Sequence, residues 1–216
     1  MTKLHVHEIY TSVQGESSRV GLPCIFIRLA GCPLRCVYCD TPQALEISSG
    51  QQMSIDQIVE QTRALTPNLV LVTGGEPLAQ RGTVALLEAL SQVKDSVQLE
   101  TSGAISIRQV PASVSNILDV KTPGSGEVGR NDWSNLSLLK AGDEIKFVLV
   151  DRNDYEWARD VLHDRLSDTP ASVLFSPCWG SLNPSDLVAW ILEDALNVRM
   201  QVQLHKVIWG AEQTGV

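Results

Sequence analysis

The chain has 216 residues, of which 44% are hydrophobic and 19% are charged, and its formal net charge is −8. This length and composition predict one globular domain over residues 1–216 and exclude a wholly disordered chain. The acidic balance argues against broad nucleic-acid binding, since no basic stripe is present to neutralise phosphates. The apolar runs are too short for a bilayer and the N-terminus lacks an apolar signal region, so we expect a cytoplasmic protein without membrane association.

Strand and helix patterns alternate along the chain. Apolar, β-branched runs predict strands at 6–10, 24–29, 69–73, 97–100, 117–120, 145–150, 173–175 and 200–204. Helical patterns begin at the capping-box sequence Ser54 to Gln57 and recur at 78–93, 154–166 and 184–196. The unit of strand, loop and helix repeats about six times, which predicts an α/β fold with a mainly parallel sheet of about six strands. Because a complete barrel needs eight units, we expect an incomplete (β/α) barrel.

Polar motifs follow several of these predicted strands. They are Thr73-Gly74-Gly75-Glu76-Pro77, Glu100-Thr101-Ser102-Gly103, Asp119-Val120-Lys121 and Ser176-Pro177-Cys178-Trp179. The carboxyl ends of parallel strands share one edge of a sheet, where α/β folds place their sites. We therefore expect these motifs to converge.

Three of the five cysteines, Cys32, Cys36 and Cys39, fall within eight residues at spacings of four and three. Clustered thiols in a reducing compartment favour a metal or cluster over a disulfide. A structural zinc site would need a fourth nearby ligand, and His5 and His7 lie outside any knuckle spacing. Zinc and redox dithiol chemistry stay open, but three ligands suit a [4Fe–4S] cluster that keeps one iron open.

The run Cys32-x-x-x-Cys36-x-x-Cys39 resembles the cluster motif of the radical S-adenosylmethionine superfamily. That resemblance implies a full or partial barrel in which S-adenosylmethionine chelates the open iron and is cleaved reductively to a hydrogen-abstracting radical. Gly74-Gly75-Glu76-Pro77 is similar to the superfamily's second motif, whose backbone receives the amino group of S-adenosylmethionine.

A narrower resemblance extends over nearly the whole chain. Together with the strand-end motifs, Val13-Gln14-Gly15-Glu16, Cys39-Asp40-Thr41 and Leu204-His205-Lys206 resemble the 7-carboxy-7-deazaguanine synthase family. The resemblance implies a lyase that converts 6-carboxy-5,6,7,8-tetrahydropterin to 7-carboxy-7-deazaguanine with loss of ammonia, on the route to queuosine. It also implies a [4Fe–4S] cluster, S-adenosylmethionine and Mg²⁺ as cofactors, a homodimer, and a flavodoxin- or ferredoxin-like electron donor.

The same resemblance implies roles for individual residues. Cys32, Cys36 and Cys39 are expected to hold the cluster, and the Thr41 hydroxyl to bind Mg²⁺, unless Thr41 simply begins a turn. The expected pterin contacts are Val13, Gln14, Gly15, Glu16, Arg28, Thr73 and His205. The expected S-adenosylmethionine contacts are Tyr38, Cys39, Asp40, Gly75, Glu76, Glu100, Ser102, Asp119, Val120, Lys121, Ser176, Pro177, Cys178 and Trp179.

Physical chemistry supports some of these roles and leaves others open. A carboxylated pterin needs acceptors along its donor–acceptor edge, which Gln14 and Glu16 can supply, and a cation for its carboxylate. Arg28 can grip that carboxylate bidentately, although a structural ion pair is the alternative for a charge inside a strand. His205 could equally be a core histidine. Lys146 could be a site cation or a lysine whose ammonium reaches solvent.

Some features depart from the family pattern or stay without a role. Asp119-Val120-Lys121 stands where many members carry Ser-Pro-Lys, so side-chain roles there are open. Cys24 is expected to pack as a small apolar residue, and the tail from Gly210 to Val216 has no assignable role. Two other functions share the cysteine pattern: a glycyl-radical activating enzyme, and a non-catalytic iron–sulfur or redox module.

Overall fold

The computed structural model describes residues 2–216. Its strands are β1 (Lys3–Val13), β2 (Pro23–Leu29), β3 (Gln51–Ser54), β4 (Leu69–Gly74), β5 (Ser96–Thr101), β6 (Ser115–Asp119), β7 (Glu144–Leu149), β8 (Ser172–Pro177) and β9 (Arg199–Met200). Its helices are α1 (Ile55–Arg63), α2 (Thr83–Ser91), α3 (Arg152–Arg165), α4 (Pro184–Glu193) and α5 (Leu204–Trp209).

All the strands join one sheet in the order β3-β1-β2-β4-β5-β6-β7-β8-β9. From β2 onward along this order the neighbours are parallel, whereas β1 is antiparallel to β2 and to β3. In the described chain β3 and β9 form the two ends of the order, so the sheet is open. The predicted α/β class and incomplete barrel are confirmed, with nine strands rather than about six.

Two predicted elements differ from the structure. The segment 200–204 forms only the end of the two-residue strand β9, and α5 begins at Leu204. The Leu204 amide donates to the carbonyl of Gly15 at 2.9 Å, which takes the chain away from the sheet. The helix expected at 78–93 begins only at Thr83, because a separate 3₁₀ turn occupies Pro77–Ala79. The capping box of α1 is present: Ser54 Oγ accepts from the Gln57 amide at 3.2 Å.

Alternation along the parallel strands separates two faces of the sheet. On β7, Ile145, Phe147 and Leu149 pack with residues of α3 and α4, while Lys146 points to the other face. In the same way, Ile25 and Ile27 of β2 pack with residues of α1 and α2. The helices therefore cover one face and leave the other to line the interior of the incomplete barrel.

The interior face has an apolar floor. Cys24, Phe26, Leu71 and Ile117 belong to one small buried cluster, and Tyr10 stacks on Phe26 with the ring centroids 5.0 Å apart. Cys24 is fully buried there, as expected of a small apolar residue. Polar residues lie above this floor, toward the carboxyl ends of the strands.

Across residues 2–216, every helix is too short or too polar to traverse a bilayer.

Candidate active site

One cavity of about 700 Å³ opens at the carboxyl ends of the parallel strands. Five consecutive strands of the sheet each place a polar side chain in its wall from the face opposite the helices. These side chains are Arg28 of β2, Thr73 of β4, Glu100 of β5, Asp119 of β6 and Lys146 of β7. Because parallel strands end at a common edge, motifs far apart in the sequence meet in this cavity.

Lys146 is the electrostatic centre of the cavity. Its ammonium lies 2.8 Å from Glu16 Oε2 and 3.6 Å from Asp119 Oδ2, and it also contacts the carboxylate of Glu100. Burial disfavours the ammonium, but the three carboxylates outweigh burial and raise the pKa of Lys146 well above its ordinary value. Lys146 is therefore a buried site cation, and its side chain does not reach out to solvent.

The cysteine loop follows β2 and forms another part of the wall. Cys32, Cys36 and Cys39 are half-buried thiols without disulfides, and all three line the cavity. Backbone bonds hold the loop: the Cys32 amide donates to Leu45 at 2.9 Å, and the Val37 amide donates to the carbonyl of Ser125 at 3.0 Å. Three thiols facing one polar cavity fit a cluster that leaves one iron for an outside ligand.

The glycine motif after β4 packs directly against this loop. A Cβ atom on Gly75 would lie 2.3 Å from the carbonyl oxygen of Gly31 and 2.9 Å from Cys32 Cβ. Only glycine allows so close an approach. The motif thus forms the cavity wall beside the first cysteine.

The side chain of Glu76 lies outside the cavity lining, although Glu76 was expected to contact S-adenosylmethionine. Its side chain is fully buried outside the cavity wall, where it accepts from the amides of Leu78 at 2.9 Å and Ser102 at 2.7 Å. The hydroxyls of Thr101 and Ser102 also donate to it. Glu76 therefore ties the glycine motif after β4 to the motif after β5.

Three further expected contacts also lie outside the cavity lining. Val120 packs in the helix-facing core, while Ser176 and Pro177 are buried within β8, paired with Val148 and Leu149. The other residues expected around S-adenosylmethionine do line the cavity: Tyr38, Cys39, Asp40, Gly75, Glu100, Ser102, Asp119, Lys121, Cys178 and Trp179. Asp119 pairs with Lys121 at 3.0 Å, and its buried Oδ1 atom has no hydrogen-bond partner among the described residues.

All seven residues expected to contact the pterin line the cavity: Val13, Gln14, Gly15, Glu16, Arg28, Thr73 and His205. Gln14, however, uses its side chain within the protein. Its Nε2 donates to Gln98 Oε1 at 3.0 Å, and its Oε1 accepts from the Glu16 amide at 3.3 Å. Glu16 therefore remains the side-chain acceptor on this loop.

Arg28 forms a structural ion pair and also lines the cavity. Its Nε forms an ion pair with Glu8 at 2.7 Å, and its Nη2 donates to the Tyr10 hydroxyl at 3.2 Å. Nη1 lies 3.4 Å from Thr41 Oγ1. The ion pair fixes the guanidinium at the cavity wall, where it can also face an anionic ligand.

Thr41 and Asp40 offer oxygen atoms that could bind a metal ion at the end of the cysteine loop. The Thr41 hydroxyl donates to Asp40 Oδ1 at 3.1 Å. Asp40, Glu16 and His205 place ligand atoms within 4.8 Å of one another. Carboxylate and hydroxyl oxygens are the ligands that Mg²⁺ prefers, so this corner fits the ion. Lys206 and Lys146 outweigh burial and hold the pKa of Asp40 below its ordinary range, which keeps this ligand ionised.

Several cavity residues were not predicted from the sequence. Gln203 Nε2 donates both to Glu16 Oε1 at 2.8 Å and to Asp40 Oδ2 at 3.0 Å, and Lys206 lies 3.4 Å from Asp40. Lys206 belongs to the Leu204-His205-Lys206 motif but had no assigned role, and the only sequence signal for Gln203 was its position close to that motif. The tail, which had no assigned role, reaches the cavity through Ala211, Gln213, Thr214, Gly215 and Val216.

Comparison with known proteins adds to this geometry. Residues 26–119 match the family model of the Radical SAM superfamily. The chain is 43% identical to the 7-carboxy-7-deazaguanine synthase of Koribacter versatilis, over 99% of this chain and 100% of that protein. It is also 43% identical to the enzyme of the same name from Chlorobaculum tepidum, over 99% and 97%. The chain belongs to the 7-carboxy-7-deazaguanine synthase family.

Solved structures agree with membership of this synthase family. The crystal structure of QueE from Escherichia coli superposes with a TM-score of 0.72 at 25% identity, covering 94% of this chain and 95% of that one. Streptococcus suis SuiB shares only the fold, at 12% identity and a TM-score of 0.58. The sequence-based assignment is thus confirmed, and neither a glycyl-radical activating enzyme nor a non-catalytic module is favoured.

Proposed function

We propose that this chain converts 6-carboxy-5,6,7,8-tetrahydropterin to 7-carboxy-7-deazaguanine with loss of ammonia. It is then a carbon–nitrogen lyase of queuosine and related 7-deazapurine biosynthesis. The observation that carries the proposal is the 43% identity to two named synthases, over 99% of this chain and at least 97% of each relative. The single sheet that runs through the chain supports one catalytic domain over residues 1–216.

The cavity supports the three cofactors that the family uses. When bound, the cluster and S-adenosylmethionine supply one-electron chemistry, and Mg²⁺ supplies a Lewis acid. Cys32, Cys36 and Cys39 would hold the cluster, and Thr41 with Asp40 would hold the ion. The part of the cavity wall that includes Gly75 and Trp179 would bind S-adenosylmethionine beside the cysteine loop.

The opposite wall would bind the pterin. Glu16 offers carboxylate oxygens to the donor edge of the ring, held in place by Lys146 and Gln203. Arg28 offers its guanidinium to the substrate carboxylate. His205 packs against Gly15 and is kept neutral by burial, which lowers its pKa. A neutral imidazole can then donate or accept a hydrogen bond beside the ring.

We also propose that the protein is cytoplasmic, acts as a homodimer and takes electrons from a flavodoxin- or ferredoxin-like protein. Val37, next to Cys36, is 82% exposed, which supports access of a carrier to the cluster loop. The exposed apolar side chains Val207, Ile208 and Trp209 of α5 support burial against another chain. Light scattering on a sizing column tests the dimer.

An anaerobic assay tests the reaction. The protein is reconstituted with iron and sulfide and supplied with S-adenosylmethionine, a reductant, Mg²⁺ and the carboxylated tetrahydropterin. We expect deazapurine absorbance and release of ammonia. An intact cluster that cleaves S-adenosylmethionine yet forms no deazapurine would contradict the substrate while leaving the superfamily in place.

The Arg28→Ala variant tests the carboxylate contact. We expect its kcat/KM to fall about 10- to 100-fold, as for loss of one charge-assisted hydrogen bond. Arg63→Ala is the matched control and should keep wild-type kinetics, since it removes an exposed guanidinium that is paired with Glu60 on α1. If Arg28→Ala keeps the wild-type KM and turnover, another group binds the carboxylate.

A further inference from the structure

The loop between β1 and β2, residues 14–22, is fastened to the interior of the barrel by a buried carboxylate. Glu144 is 3% exposed, and its two oxygens accept from the Ser18 amide at 3.0 and 3.2 Å. The Ser18 hydroxyl also donates to Oε1. Because this loop carries Gly15 and Glu16, its attachment to Glu144 affects the part of the cavity proposed to bind the pterin.

Two neutral side chains fasten the same loop at other points. Gln201 Oε1 accepts from the Ser17 amide at 2.8 Å, and Gln98 Oε1 accepts from Gln14 Nε2 at 3.0 Å. Ser17 has a φ of 69°, a left-handed conformation that non-glycine residues rarely adopt without support. The loop thus holds a conformation that its own sequence does not favour.

The spacing of two residues on β7 matches the spacing of their two partners on the loop 14–22. Glu144 and Lys146 are two residues apart on β7 and share its interior face, while Ser18 and Glu16 are two residues apart on the loop. Glu144 binds Ser18 and Lys146 binds Glu16. One strand therefore holds the loop at two points, and only the second point lies in the cavity wall.

We propose that Glu144 is a positioning residue for substrate binding, which holds the loop at Ser18 so that the Glu16 carboxylate and the Gly15 backbone stay in place. This role rests on the proposed function. The carboxylate accepts from both the amide and the hydroxyl of Ser18. These bonds fix the orientation of the loop as well as its distance from β7. Without this anchor, Glu16 would keep its contacts with Lys146 and Gln203, but Ser18 would no longer be held to β7.

The Glu144→Gln variant of the reconstituted holoenzyme is the main test. Its amide keeps the size of the side chain but turns one acceptor into a donor that faces Ser18. We expect KM for the tetrahydropterin to rise about tenfold or more, since small misplacements of a binding group have such effects. Affinity for S-adenosylmethionine should stay within about twofold, because the cysteine loop and Gly75 do not touch Glu144. Ser18→Ala keeps the hydrogen bond from the backbone amide to Glu144 and should therefore raise KM for the tetrahydropterin by less.

Asp143→Asn is the matched control. Asp143 is the neighbouring buried carboxylate, but it accepts from the Asn116 amide at 2.8 Å and from Lys140, away from the loop. We expect this variant to lower the urea midpoint without changing KM. Hydrogen exchange gives a readout independent of turnover: the amides of Ser17 and Ser18 should exchange faster in Glu144→Gln and not in Asp143→Asn.

If Glu144→Gln lowers only the urea midpoint, and leaves KM and the exchange of Ser17 and Ser18 at wild-type values, the positioning role is overturned. If the wild-type enzyme itself does not turn over the tetrahydropterin, the proposed function fails. In that case the exchange rates still decide whether Glu144 anchors the loop.

Discussion

Lys146 and Glu16 form an ion pair of 2.8 Å although 130 residues separate them in the chain. Lys146 comes from β7, and Glu16 comes from the loop that crosses the barrel interior. Their contact, with Glu100 and Asp119 on the same ammonium, joins the first loop of the chain to three strands of the sheet. This relationship makes the cavity one electrostatic unit.

Replacing the central cation tests that unit. Lys146→Met should destabilise the protein by about 3–5 kcal/mol, because removing one partner leaves buried carboxylates without a counter-charge. Turnover should fall about 100-fold or more, since Glu16 loses its support. Urea unfolding of the cluster-free protein and the anaerobic assay measure the two effects. Lys140→Met, at the more exposed pair with Asp143, is the control and should keep its activity. Wild-type turnover in Lys146→Met would refute the role of the network.

The contact between Gly15 and His205 leaves no room for a side chain. A Cβ on Gly15 would lie 2.2 Å from His205 Nδ1, so Gly15→Ala must displace the imidazole. We expect KM for the tetrahydropterin to rise about tenfold or more, with S-adenosylmethionine cleavage retained. Gly129→Ala is the matched control, because a Cβ there meets no atom within 4 Å. Equal kinetics in the two variants would show that His205 does not need its present position.

We expect a substitution of Glu76 to lower the free energy of unfolding and, through Ser102, to weaken cofactor binding. Glu76→Gln places an amide donor among the Leu78 and Ser102 amides and the Thr101 hydroxyl, all of which donate to the carboxylate. The loss should be about 3 kcal/mol of unfolding free energy, with weaker S-adenosylmethionine binding because Ser102 lines the cavity. Calorimetric titration and urea unfolding measure these effects. The exposed Glu60→Gln should change neither, and an unchanged midpoint in Glu76→Gln would contradict the tie between the two motifs.

The lowered pKa of His205 predicts a loss of stability in mild acid. Burial disfavours its imidazolium, so the folded protein binds the proton less readily than the unfolded chain does. The stability that comes from the neutral ring is present above the unfolded pKa of about 6.5 and declines as pH falls from there toward the folded pKa. Urea midpoints of cluster-free protein at about pH 7.5 and 5.5 measure the decline. It should be smaller in His205→Asn. An NMR titration that places the folded pKa at or above about 6.5 would contradict this.

The sequence alone determined the parts of this protein that depend on local pattern. Runs such as Leu69 to Thr73 predict buried parallel strands, because a continuous apolar run and β-branching are local properties. The spacing of Cys32, Cys36 and Cys39 predicts three ligands on one loop for the same reason. Since parallel strands share a carboxyl edge, the sequence also places the strand-end motifs in one region.

Only the tertiary structure decided which side chains face the cavity and which hold it together. Glu76 lies in a motif beside the cavity yet spends its carboxylate on Leu78, Thr101 and Ser102. Lys146, ambiguous in sequence, is the buried cation, and Gln203 contacts Glu16 across 187 positions. The physical reason is that the partners of a polar side chain are set by distance in space, and contacts between residues this far apart leave no periodic signal along the chain.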